Sequence, residues 1–121
     1  MNVDTMEFVG TIPVGQTAVN VDIGVRKGVI LSVELDYTGA AAGTVVAIQQ
    51  LAGGAARQET LFTVTGNTNI KKRPRVAVVN ELGSAGGPEW NAFIDFAGPI
   101  RMAVSSSTAG AVIKARVTYE G

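Results

Sequence analysis

From Ala111 to Glu120 the chain alternates with a period of two. Ala111, Ile113, Ala115, Val117 and Tyr119 hold one parity; Val112, Lys114, Arg116, Thr118 and Glu120 hold the other. Successive side chains of a strand point to opposite faces, so this pattern predicts a strand with one buried face. Two further stretches repeat it. Val19, Val21 and Ile23 alternate with Asn20, Asp22 and Gly24. Val29, Leu31, Val33, Leu35 and Tyr37 alternate with Ile30, Ser32, Glu34, Asp36 and Thr38. A slip of one residue would turn each apolar set to water, which specifies the register of all three.

The remaining strands are predicted at 5–12, 44–51, 59–65, 75–82, 90–96 and 99–105, the last with Ile100, Met102 and Val104 on one face. Between them lie Gly-, Asn-, Ser- and Pro-containing stretches at 39–43, 52–56, 66–69, 83–88 and 105–110. Such residues supply positive φ, fixed φ or local hydrogen bonds, and so mark turns. No segment sustains a helical period, and the alanine-rich pieces at 40–42 and 52–56 are interrupted by glycine. The expected fold is all-β: a single-domain antiparallel β-sandwich over residues 1–121, jelly-roll-like, with about eight to nine strands.

Composition excludes much chemistry. The 121 residues contain no histidine and no cysteine. A Ser-His-Asp triad, a Cys nucleophile, a Cys/His zinc site, a haem ligand, an iron–sulfur cluster and a disulfide are therefore all ruled out. Ten Lys+Arg balance ten Asp+Glu, and a neutral chain lacks the basic excess that grips nucleic acid. Neutrality also lowers colloidal repulsion and favours association. The first residues carry neither a basic start nor an apolar run, so no secretory signal is read there, and no stretch reaches the ~18–20 apolar residues of a membrane helix.

The densest charge is Lys71-Lys72-Arg73-Pro74-Arg75, with four basic residues in five positions. It reads either as a solvated loop or edge strand, or as a nuclear-localisation-like patch, a nucleic-acid contact or a docking site for an acidic partner surface. No aromatic residues interleave as a single-strand nucleic-acid platform requires. Glu34 and Asp36 lie two apart on one predicted face, ~7 Å from each other, as paired glycosidase carboxylates can be; the competing reading is a solvated polar face. Trp90, with Glu89, Asn91 and Asp95, forms either a sugar platform or a core aromatic. The glycine clusters hold no phosphate-loop motif, and no calcium-loop pattern occurs. No cofactor, metal or catalytic residue is assigned.

Ile30, Val46, Ile48, Phe62, Val64, Val78, Phe93 and Val112 lie on the parity opposite the main apolar set. A sandwich keeps its outer faces polar, so these residues are either covered or form a subunit interface.

The closing pair of strands, Gly98-Pro99-Ile100-Arg101-Met102-Ala103-Val104-Ser105 and 110–119, joins the small-residue loops and the absence of Cys and His. In this style the whole chain resembles small all-β virion proteins of tailed bacteriophages, most closely head decoration (cement) proteins, though without a diagnostic motif. The resemblance implies a non-enzymatic structural role, made in the host cytoplasm and located in the virion. It implies the major capsid protein or another virion protein as partner, and a homo-oligomer, with a trimer the leading expectation. The expected contact residues are Met1, Val3, Met6 and Phe8 in the N-terminal segment, and Lys71, Lys72, Arg73 and Arg75 in the basic stretch. Two alternatives stay open: a neck, tail or fibre-attachment component, and a carbohydrate-binding module centred on Trp90.

Overall fold

The period-two pattern at the end of the chain does form a strand with one buried face. In a computed structural model that describes residues 2–51, 58–77 and 91–121, Ala111, Ile113, Ala115, Val117 and Tyr119 are all buried. Eight strands occur among the described residues. They are β1 (Val3–Thr11), β2 (Val19–Thr38), β3 (Val45–Leu51), β4 (Gln58–Thr65), β5 (Ile70–Lys72), β6 (Arg75–Ala77), β7 (Asn91–Ser105) and β8 (Val112–Glu120). No helix occurs among the described residues.

Every pairing is antiparallel, in the order β1-β8-β2-β7-β3-β4. β5 adds to β2 beside Val33–Leu35, and β6 adds a short ladder to the start of β7. The 20-residue strand β2 organises the whole. Its first part pairs with β7 and its second part with β8. β1 and β7 stand three places apart in the order, yet they meet. A Cβ placed on Gly10 of β1 would lie 3.2 Å from Met102 Cε of β7, and equally close to Val19 and Val21 of β2. The sheet therefore curls around one shared core, which holds Phe8, Ile12, Ile30, Leu35, Ile48, Ile100, Met102 and Ile113 at its centre. Each such side chain contributes about 1.5–3 kcal/mol by leaving water.

β2 departs from simple alternation, and the cause is local. Gly24 has no partner between the pairs Ile23–Ile100 and Val25–Pro99. Leu31 likewise has none between Ile30–Tyr119 and Ser32–Thr118. Each extra residue is a bulge that bends the strand and switches which parity faces the core. Val19, Val21 and Ile23 pack inward before the first bulge; Ile30 is buried between the two; Val33 and Leu35 are buried after the second. Val29 and Leu31, expected on the core face, are consequently only half-buried.

The same bookkeeping removes most of the apparent surplus. Ile30, Val46, Ile48 and Val64 belong to the core, and Phe62 packs against it. Val112 is half-buried. Of the two alternatives, covered residues or a subunit interface, the first holds for Ile30, Val46, Ile48 and Val64. Val78 and the Phe93 side chain lie outside the described residues.

Loops are tied by a buried polar pair. Thr44 Oγ1 donates to the Ala41 carbonyl at 2.7 Å and lies 2.8 Å from Ser107 Oγ, joining the turn before β3 to the turn after β7. Both residues are buried, and the contact satisfies groups that would otherwise cost free energy there.

Candidate interaction surface

On the outer face of β1, β8, β2 and β5 the registers align charges into a row. Glu7 faces Arg116, Arg116 faces Glu34, and Glu34 faces Lys71, so the signs alternate across four strands. Arg116 reaches Glu7 at 3.0 Å, and Lys71 reaches Glu34 at 3.6 Å. In the next row Lys114 stands between Val9 and Asp36. A shallow groove of about 280 Å³ runs over these two rows. Cross-strand opposite charges stabilise a sheet face modestly and are screened by water. Glu34 and Asp36 therefore each face a cation across the strands, which is the solvated-face arrangement and leaves no carboxylate pair aimed at a sugar.

A second concavity, about 460 Å³, is lined by Lys27, Gly28, Val29, Gln50 and the β7 stretch from Asp95 to Ala97. The Gln50 side chain braces its wall, accepting from Ala97 N at 3.0 Å and donating to a Glu59 carboxylate oxygen at 2.5 Å. On the other outer face Asp22 and Arg101 form a bidentate pair, at 2.6 and 3.0 Å. The hydrogen bond from the Arg101 guanidinium holds the Asp22 carboxyl below its ordinary range, against the opposing effect of desolvation. Tyr37 is shifted the other way, because burial disfavours its phenolate.

The expected contact residues separate into different environments. Met6 and Phe8 are 2% and 1% exposed and belong to the core, so their side chains offer no partner surface. Their parity in β1 is the reason: Met6, Phe8 and Gly10 point inward, while Val3, Thr5, Glu7 and Val9 point out. Val3 is 63% exposed and Val9 56%. Met1 lies outside the described residues, as do Trp90 and the side chain of Arg75. In the basic stretch, Lys71 is committed to Glu34, whereas Lys72 and Arg73 are exposed, with no ion pair among the described residues.

The feature that residue-by-residue reading missed is the edge of β1. This strand pairs with β8 without a bulge over nine residues, and no described strand pairs with its other side. The opposite edge strand, β4, is interrupted: its register against β3 shifts between Ile48 and Gln49, leaving Leu61 as the extra residue. Bulges disfavour further pairing, while a long regular edge is a template for another strand. The sequence predicts a strand at 5–12, but which strand ends at an edge depends on topology.

Scans against family models, curated proteins and solved structures found no match to this chain.

Proposed function

We propose that this chain is a non-enzymatic virion structural protein that binds and stabilises a phage capsid surface, as a decoration or cement protein does. The observation that carries the contact role is the regular edge of β1, unpaired among the described residues and flanked by exposed Val3 and Val9. The phage assignment itself rests on the whole-chain resemblance. In this reading the curled sheet is an open, jelly-roll-like β-sandwich, and β2 is the strand that turns the corner between its layers. The β1 edge serves subunit contacts, and exposed Lys72 and Arg73 serve an acidic capsid surface. Repeated copies on a lattice gain avidity, because each further contact is made within the assembly.

Imaging of purified particles tests this. Copies distributed over the shell are the expected result. Copies confined to one vertex or the tail would mark a neck or tail component, and absence from every particle fraction would overturn the virion reading. Reversing Lys72 and Arg73 to Glu is expected to weaken attachment and flatten its salt dependence. Unchanged attachment would remove the basic stretch from the contact.

A further inference from the structure

We propose that β1 pairs with β1 of a second copy, antiparallel about a two-fold axis through Met6, joining two sheets into one. The inference rests on the contact-protein reading and names the partner of its edge.

Main-chain geometry fixes which groups are available. Asn2 O accepts from Gly121 N at 3.0 Å, and Ile12 N donates to Ala111 O at 2.9 Å. In an antiparallel ladder such bonded residues recur at every second position. The even-numbered residues of β1 therefore bond to β8. Val3, Thr5, Glu7, Val9 and Thr11 direct their N–H and C=O to the open edge. Thr5 confirms the parity, since its N–H is taken by the Asp4 carboxylate at 2.8 Å and not by β8.

The sequence of this edge complements itself in one register. With the axis at Met6, Val3 faces Val9 of the second copy and Thr5 faces its Glu7, each pair occurring twice. All four pairs are of the hydrogen-bonded kind and give roughly eight main-chain bonds. The two exposed apolar side chains of β1 then cover each other. Moving the axis to Glu7 would set Glu7 against Glu7, and moving it to Thr5 would set Val3 against Glu7. Like charges and mismatched pairs disfavour both. In the Met6 register Thr5 N–H exchanges the Asp4 carboxylate for the partner's Glu7 carbonyl. Zero net charge leaves no long-range repulsion to oppose the approach.

A chain without cysteine makes the test clean. Facing Cα atoms of a bonded antiparallel pair lie about 5.5 Å apart, within disulfide reach. The Val3→Cys, Val9→Cys double variant of the full chain is expected to form a covalent dimer whose peptide map shows residue 3 joined to residue 9. Val3→Cys alone is expected to give little, because the two copies of residue 3 stand far apart. Thr5→Pro removes an outward N–H while leaving the β1–β8 ladder intact. It should raise the dimer dissociation constant by at least about tenfold in sedimentation, with the far-ultraviolet spectrum preserved. Three results would overturn the pairing: a monomer at all concentrations, a dimer indifferent to Thr5→Pro, or crosslinking of Val3→Cys as efficient as that of the double variant. A 3–9 linked dimer absent from particles would overturn only the virion role. A monomer that still binds particles would overturn only the pairing, leaving β1 open to a foreign strand.

Discussion

Gly28 is the residue whose side chain the fold can least accommodate. A Cβ there would stand 2.4 Å from the carbonyl oxygen of Glu120, which is backbone and cannot rotate away, and 3.1 Å from the Tyr119 ring. The glycine also has φ of +155°. Beside it, Phe96 and Tyr119 meet edge-to-face, with centroids 5.4 Å apart. Gly28 faces Phe96 in the ladder, so a bare backbone lets aromatic rings from strands on either side of β2 approach each other. Gly28→Ala is expected to cost about 1–3 kcal/mol, through overpacking against main chain. Urea denaturation measures it. A loss below ~0.5 kcal/mol would mean that the end of β8 is not held against this position.

Strand β2 shows how one element serves two parts of a sheet. Its bulges at Gly24 and Leu31 reset the inward parity twice. Leu31 is the surplus residue there, so deleting it leaves Ile30 and Val33 two apart and both facing the core. Deleting Glu34, in the regular stretch beyond the bulge, would instead set Val33 and Leu35 on opposite faces, so one of them must turn to water. The expected loss is at least about 1.5 kcal/mol, the cost of exposing one buried aliphatic side chain, and exceeds that of deleting Leu31. Equal effects of the two deletions in chemical denaturation would contradict the parity argument. This strand also marks the limit of what sequence displays. β8 was legible because its alternation is unbroken, and the all-β class followed from it. Around Leu31 strict alternation predicted Val29 and Leu31 inside, because a bulge carries no local sequence mark beyond an occasional glycine. In β1 apolar residues stand on both parities, Val3 and Val9 against Met6 and Phe8, so the sequence grouped Val3, Met6 and Phe8 as contacts and only the packing of the sheet separated them. The Lys71–Glu34 pair was not legible either, since it depends on how β5 registers with β2.

At the scale of the whole molecule, three ion pairs join charges across strands among the described residues, and the most closely bonded of them shapes the acid response. The Asp22 carboxyl is held below its ordinary range by its hydrogen bond to Arg101. A carboxylate depressed in the fold adds stability above its unfolded pKa of about 4, and that stability fades as pH falls through the lower folded value. Asp22 is half-exposed, so solvent limits the contribution to less than about 1 kcal/mol. Arg101→Gln should reduce the pH dependence of the denaturation midpoint below about pH 4 while leaving the fold's spectrum unchanged. An acid limb identical to that of the unsubstituted protein would show the pair to be energetically idle. The pairing of Val3 with Glu120 has a consequence in time. The strand that β1 needs is made after the other seven described strands. Until then β1 is a ribbon with two free edges, and its closure must overcome the entropy of a very long loop. Folding dominated by such distant partners runs on the millisecond-to-second scale. The edge proposed to pair two copies in the finished protein is thus also the place where a newborn chain is most open to premature pairing with its neighbours.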